Sequence, residues 1–345
     1  MVILITITNK MIKAYAAYQA GEKLKEFEYD PGPLDTNEVE IDIDYCGICH
    51  SDLSMINNAW GISSYPLVPG HEVIGVISKV GKKVKTVSIG QKVGLGWHCG
   101  YCNSCQQCIN GDQNLCETAQ PTIAGHYGGF ANSVRAYAES VIPIPESMDL
   151  ISAGPLLCGG ITVFNPLVQF NISPTSRIGI IGMGGLGHMA LMFLKAWGCE
   201  ATVFTSSPTK KKMALNLGAT NIIDSTNNKA LESIDKKFDL ILSTVNVSLN
   251  WDQYINLLNP RGRLHILGAL LEPLPINAFS LIMAQRQVSG SPVGSPGNIH
   301  TMLDFANRHH IEPIIDTFPM HKVNEALEHL HDGKARYRIV LYNEK

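Results

Sequence analysis

Between residues 176 and 268 short apolar runs alternate with amphipathic ones, and this rhythm constrains the fold more than anything else in the 345-residue chain. "SRIGIIGMGGLG" reads as a buried strand entering a glycine-rich turn. "HMALMFLKAWG" is a helix stopped by Gly198, and "EATVFTS" is the next strand. "PTKKKMALNLG" predicts a helix, "NIID" and "FDLILSTV" strands, "WDQYINLLNPRG" a helix over 251–262, and "RLHILG" a strand. Strands separated by helices are joined by crossovers, so they lie parallel in one sheet.

The turn itself carries chemistry. Gly182-Met183-Gly184-Gly185-Leu186-Gly187 fits G-x-G-x-x-G, and it follows a strand and opens a helix, the context a dinucleotide requires. Glycines let the backbone approach a pyrophosphate, and the helix N-terminus offers N–H donors and the positive end of its dipole. An NAD site would place an acid at the end of the next strand. Here that end is Thr205-Ser206-Ser207, followed by Lys210, while Glu200 stands at the strand's start. Hydroxyls followed by a cation suit a 2′-phosphate, so NADP(H) is expected. For Lys211 and Lys212 the alternative is a solvated turn with no cofactor contact.

Residues 11–145 have a different texture. "EVEIDIDYC", "HEVIGVISKVG", "GQKVGLGW" and "FANSVRAYAESVIPIP" read as short strands between turns, so this part is mostly β. After residue 297, "NIHTMLDFANRHHI" and "VNEALEHLHDG" predict helices and "RYRIVLY" a closing strand. Two domains are expected in a chain of this length.

Net charge is −3, with no basic patch to hold nucleic acid or an anionic membrane. No apolar stretch reads as long enough to cross a bilayer. "MVILITIT" is too short for a signal-peptide core and lacks a basic leader. A cytoplasmic location is expected, where the nine cysteines serve as metal ligands and free thiols.

Five of them crowd into "GWHCGYCNSCQQCINGDQNLC". Cys102, Cys105, Cys108 and Cys116 can close a tetrahedron around zinc with no open position, the structural arrangement. Cys99, Cys102, Cys105 and Cys108 are also evenly spaced, like an iron–sulfur run. A second set is scattered: Cys46, Cys49, His50 and Asp52 in "CGICHSD", His71 and Glu72 in "PGHEVIGV", and Cys158 in "GPLLCGGITVF". Two thiolates and one imidazole would leave zinc a fourth position for water or substrate. Cys158 alone would read as a small buried hydrophobe.

On these residues the chain resembles the zinc-containing medium-chain alcohol dehydrogenases, and within them the cinnamyl-alcohol-dehydrogenase-type aldehyde reductases. The resemblance runs from Met11 to about Tyr342 and rests on "CGICHSDL", "PLVPGHEVIGVISKVG", the cysteine loop, "GPLLCGGITV", "GIIGMGGLGHMALMF" and "RYRIVLY". It implies an α/β protein with a GroES-like, mostly β catalytic domain (1–158 and 297–345) and a Rossmann doubly wound parallel-sheet domain (159–296) that binds NADP(H). It implies two zinc ions: a catalytic one on Cys49, His71 and Cys158, with Glu72 as an alternate ligand, and a structural one on Cys102, Cys105, Cys108 and Cys116. Cys46, Cys99 and Cys199 are then spare. Asp52 matches the acid that fixes the histidine's tautomer, and Ser51 the hydroxyl that meets the substrate oxygen. His50, Thr162, Gly182, Gly184, Gly185, Leu186, Gly187, Thr205, Ser206, Ser207 and Lys210 match cofactor positions. Counted back from Leu217-Gly218-Ala219, Thr205 stands where NAD-dependent relatives keep their acid. One departure is Ser54, where many relatives carry the last histidine of a proton relay.

The implied reaction is hydride transfer between NADP(H) and a primary alcohol or aldehyde. Trp60, Trp97 and Tyr127 are candidate pocket walls for an aromatic or medium-length substrate, or else ordinary core. Homodimers joined at Rossmann sheet edges are expected, with "RQVSGSPVG" as the place to look. The alternatives are an NAD-linked polyol or secondary-alcohol dehydrogenase, and a non-catalytic dinucleotide-binding structural or regulatory protein.

Overall fold

The computed structural model describes residues 11–344; the first ten residues, with the "MVILITIT" run, lie outside them. The chain divides into two compact units. One comprises the chain up to Cys158, Ser295–Asp304 and the segment from Ile314 onward; the other comprises Gly159–Gly294 and Phe305–Pro313.

The first unit begins with a hairpin of β1 (Ile12–Ala16) and β2 (Lys25–Tyr29). Next come β3 (Glu38–Ile48), β4 (Val73–Val80), β5 (Lys92–Leu95), β6 (His98–Gly100), β7 (Gln120–Pro121), β8 (Ser133–Tyr137) and β9 (Val141–Pro143). Six parallel strands make the sheet of the second unit: β10 (Arg177–Ile181), β11 (Glu200–Thr205), β12 (Asn221–Asp224), β13 (Phe238–Ser243), β14 (Leu258–Ile266) and β15 (Gln287–Gly290). The chain returns to the first unit in β16 (Ile315–Pro319) and β17 (Arg338–Tyr342).

In the first unit β16, β17, β3, β4, β5 and β9 lie in that order, with β8 also on β3. β3 alternates Val39, Ile41 and Ile43 into the core, and β4 adds Val73 and Ile77 to the same core, while Ile74 is buried on the opposite face of β4. β17 pairs antiparallel with the end of β3, Ile339 opposite Ile48, which brings the C-terminal strand beside the CGICHSD segment. The short helix α1 (His50–Ile56) follows directly, and Asp52 reaches back from its first turn to the Cys49 N–H at 2.8 Å.

In the second unit the order is β12-β11-β10-β13-β14-β15. Connections reverse direction between β10 and β13, and ligands of such sheets bind at the strand ends beside that reversal. The Gly182–Gly187 turn lies there, between β10 and a 13-residue helix over Gly185–Trp197. The segment 305–313 belongs with this unit, whereas 295–296 belong with the first, so the division differs from a single break at 297. Packing explains the return: the Phe305 ring meets Phe164, Phe193 and Trp197 at centroid distances of 5.6, 6.1 and 5.3 Å.

Two expectations need correction. The helix expected over 251–262 ends at Asn256, and β14 starts at Leu258. Pro260 has no N–H for a helix, and Arg261 sits at φ +64, where the register against β13 shifts. One continuous helical run, Leu150–Gln169, is also long and apolar enough to cross a membrane, and 89% of its most apolar window is buried in the protein. Its composition is that of a core helix: Ala153, Leu156, Leu157, Ile161, Val163 and Leu167 are all buried.

Candidate metal centres and cofactor loop

Cys49, His71, Glu72 and Cys158 offer ligand atoms that all lie within 4.8 Å of one another. They come from three features of the fold: Cys49 before α1, His71 and Glu72 at the entry to β4, and Cys158 in the buried helical run. The Cys49 and Cys158 sulfurs are 4.0 Å apart, and His71 Nε2 is 3.3 Å from Cys158 Sγ. Zinc with bonds of about 2.3 Å to sulfur and about 2.0 Å to nitrogen requires tetrahedron edges of about 3.5–3.8 Å, so this donor set fits zinc. The Cys158 thiol and then the His71 ring hold Cys49 well below the usual thiol range, toward the thiolate a metal needs.

Asp52 is fully buried and takes three donors. One carboxylate oxygen accepts from the Gly70 N–H at 2.9 Å and from His71 Nδ1 at 3.0 Å; the other accepts from Cys49 N–H. With Nδ1–H given to Asp52, the Nε2 lone pair faces the thiols. Burial disfavours a charged His71, but the Asp52 carboxylate more than reverses this and raises its pKa. Ser51 Oγ lies 3.6 Å from Cys49 Sγ, at the edge of the cluster. His50 is exposed, and Ser54 is half-buried on α1.

Glu72 is fully buried, and burial raises its pKa even against the opposing charge of Arg338. One of its oxygens pairs with the Arg338 guanidinium on β17; the other, Oε2, is buried without a hydrogen-bond partner. Gly47 opposite it has no room for a side chain: a Cβ there would come within 1.9 Å of Glu72 Oε2. Sequence reasoning missed Arg338. Its signal was a cation set between apolar residues in a closing strand, which needs a buried anion to be tolerated.

The second cluster is Cys102, Cys105, Cys108 and Cys116. Cys102 Sγ lies 3.9 Å from Cys108 Sγ and 3.6 Å from Cys116 Sγ, again the edges of a zinc tetrahedron. Backbone hydrogen bonds at Ser104 and Cys105 pull Cys102 down to about 5. Cys99 is turned away: it sits in β6, 1% exposed, with its thiol toward the carbonyls of Gln120 and Pro121. The evenly spaced iron–sulfur set is therefore not the one assembled. Cys46 is buried in β3, and Cys199 directs its thiol to the Ser173 carbonyl.

Trp97 stacks edge-on against His71 at 5.0 Å, and Trp60 meets Trp97 at 5.9 Å. Tyr127 lies in another ring cluster, with Phe27 and Tyr29 at 5.3 and 4.5 Å. The two tryptophans thus reach the first ligand group through His71, whereas the ring contacts of Tyr127 are with Phe27 and Tyr29.

In the second unit Gly182 adopts φ +94, and a Cβ on Gly187 would fall 2.1 Å from the Gly182 carbonyl oxygen. At Gly184 nothing lies within 4 Å of the Cβ position, so the open space a pyrophosphate needs is there, against the N-terminus of the helix that Gly185 and Leu186 begin. Thr205 is buried, and its hydroxyl accepts from the Ser207 N–H at 3.2 Å; Ser206 is exposed, and Ser207 and Lys210 are half-buried. Glu200 is engaged at the far end of β11 by Arg177. Thr162 is buried in the helix Ile161–Gln169.

Residues 35–146 match the family model of the alcohol dehydrogenase GroES-like domain, and residues 185–308 that of the zinc-binding dehydrogenases. The chain is 58% identical to aldehyde reductase AdhA of Synechocystis sp., over 97% of this chain and 100% of that one. A cinnamyl alcohol dehydrogenase from Sorghum bicolor superposes with a TM-score of 0.93 at 36% identity, covering 96% of this chain and 98% of its own. A counterpart from Helicobacter pylori, solved as a complex with NADP(H), gives a TM-score of 0.89 at 31% identity, over 97% and 99% of the two chains.

Proposed function

The chain belongs to the zinc-binding, GroES-like alcohol dehydrogenase family, and from that premise we propose an NADP(H)-dependent aldehyde reductase of the cinnamyl-alcohol type, acting on aromatic or medium-length aldehydes. The carrying observation is the end of β11: Thr205, Ser206 and Ser207 stand where an NAD enzyme keeps a carboxylate, and Lys210 follows. The carboxylate on the neighbouring strand, Asp224, is already taken by the N–H and hydroxyl of Thr226. The NADP(H) complex of the Helicobacter pylori relative supports the same reading.

Cys49, His71 and Cys158 would hold the catalytic zinc, and Cys102, Cys105, Cys108 and Cys116 a structural one. When bound, the catalytic zinc supplies Lewis acidity toward a carbonyl oxygen, and the nicotinamide supplies the hydride. Asp52 keeps the His71 proton on Nδ1 so that Nε2 is free to ligate. The Ser51 hydroxyl gives a proton to the substrate oxygen in reduction and takes it back in oxidation. Ser54 has no imidazole to store that proton, so it is drawn from solvent in reduction and returned to it in oxidation through hydroxyl and water. Trp97 and Trp60 form an apolar wall beside His71 that excludes water and favours a flat substrate.

Among the described residues the cysteines form no disulfide, which suits a reducing cytoplasm. β15, an edge strand, and the exposed Phe279, Ile282 and Met283 before it suit a homodimer joined at sheet edges.

The test is cinnamaldehyde-dependent oxidation of NADPH and of NADH, with and without a zinc chelator. Fast NADPH loss, slow NADH loss and abolition by chelator are expected. Faster loss with NADH would overturn the cofactor assignment and favour the NAD-linked reading. No loss with either, in protein holding both zinc ions, would overturn the substrate assignment.

A further inference from the structure

His188 immediately follows the last glycine of the cofactor loop and is 0% exposed. It is not a metal ligand in either cluster. Its backbone N–H donates to the Gly184 carbonyl at 3.1 Å, the ordinary helical bond, and its ring Nδ1 lies 3.2 Å from the same oxygen. One carbonyl is thus held by two donors from one residue. That carbonyl belongs to the N-cap of the helix, the peptide that leads into the N–H groups of Gly185, Leu186 and Gly187.

Gly184 is a poor residue to leave unheld. It has extended backbone angles (φ −109, ψ −152), no side chain, and nothing within 4 Å of its Cβ position. A glycine in open space has the most freedom to lose when it is ordered. The chain before it is already pinned: Gly182 N–H donates to the Phe204 carbonyl, and Thr244 donates to Ile181 and Gly182. The peptide after Gly184 is fixed from the helix side, where the side chain best placed to do so is His188.

We propose that His188 is a positioning residue for the pyrophosphate: its imidazole Nδ1–H clamps the Gly184 carbonyl and so presets the helix N-terminal N–H groups before the cofactor arrives. This rests on reading Gly182–Gly187 as the dinucleotide loop. A net hydrogen bond in a buried setting corresponds to about a three- to tenfold change in an equilibrium constant. The clamp acts on cofactor binding and not on the metal-bound aldehyde, so its effect falls on the cofactor dissociation constant and KM while kcat at saturating cofactor stays.

The experiment compares His188→Leu, which keeps bulk but has no donor, with His188→Asn, whose amide N–H can reach the same carbonyl. NADPH binding is titrated by fluorescence in the zinc-loaded protein, beside kcat, melting temperature and inhibition by adenosine 2′-monophosphate, which lacks the pyrophosphate. Leucine should weaken NADPH binding about three- to tenfold, with kcat and the inhibition constant of adenosine 2′-monophosphate within about twofold. Asparagine should recover most of the loss. Unchanged NADPH binding in the leucine variant, or an asparagine variant no better than leucine at equal melting temperature, would overturn the clamp. Equal weakening of adenosine 2′-monophosphate would overturn it too, since a general distortion of the unit would then be the cause. Failure of the unsubstituted enzyme to bind NADPH would instead strike the cofactor reading, and the same variants titrated with NADH would still judge the clamp.

Discussion

Replacing Asp52 by Asn removes one negative charge from a fully buried group that accepts three hydrogen bonds. In its better orientation the amide oxygen still faces Gly70 N–H and His71 Nδ1, and the amide NH2 then points at the Cys49 N–H. That loses one bond to a charged group, worth about 1.5–3 kcal/mol, and leaves a buried N–H opposed by another donor, about 1–3 kcal/mol more. The other orientation breaks two bonds and costs more. A destabilisation of roughly 3–5 kcal/mol follows, which for a unit of this size lowers the melting temperature by roughly 6–20 °C. The neutral amide is also a weaker partner for the His71 ring, so affinity for the catalytic zinc should fall about 10–100-fold. The assays are scanning calorimetry and metal retention against a graded chelator, followed by atomic emission of zinc per chain. The cysteine-loop zinc serves as an internal control, because Asp52 does not touch it. A variant that melts within about 2 °C of the parent and keeps both metals equally well would refute the reasoning.

Cys105→Ser should cut zinc content from two ions per chain to one and lower the melting temperature, because a closed thiolate site contributes folding energy; equal metal content would count against the cluster as a zinc site. Arg338→Met leaves the buried Glu72 carboxylate without its cation, an expected loss of about 3–5 kcal/mol in chemical denaturation, most of which the added Glu72→Gln substitution should restore. If the double variant were no more stable than Arg338→Met, the pair would not be coupled. His265 is held by burial, and then by Arg263, down to about 4 from an ordinary 6.5. Below 6.5 the unfolded chain takes up that proton more readily than the folded one, so its contribution is intact above pH 6.5 and is lost as pH falls toward 4. His265→Asn should therefore show a shallower loss of stability than the parent between pH 6.5 and 4.5, and parallel curves would rule out His265 as a source of that slope.

The architecture was legible where a residue's chemistry is local. The strand–glycine–helix signal at 176–198 needs only neighbours in sequence, and the helix Gly185–Trp197 with its αL stop at Gly198 lies where the pattern predicts it. The 251–262 segment misled because Pro260 and Arg261 act through a bulge in β14, a partner-dependent feature that helical periodicity does not register. The buried run 150–169 misled in the other direction, being apolar on all sides because protein surrounds it.

The two groups of candidate metal ligands were legible for a different reason: a thiolate or imidazole is costly to bury without a partner, so its presence at a given spacing already implies one. That argument stops at Cys99, whose spacing equals that of true cluster members and whose exclusion is decided only by β6 turning its thiol toward Gln120 and Pro121. It also stops at Arg338. An arginine in "RYRIVLY" looks like an exposed edge residue until β17 is seen paired to the end of β3, 266 residues from the glutamate it meets. Tyr127 reads equally as pocket wall or ordinary core, since aromatic side chains carry no directional requirement strong enough to say which cluster they join; its ring contacts are with Phe27 and Tyr29. What chemistry demands of a single residue is readable from one dimension; which of several equivalent residues the fold delivers to a site is a property of strand pairing, of β6 with β7 for Cys99 and of β3 with β17 for Arg338.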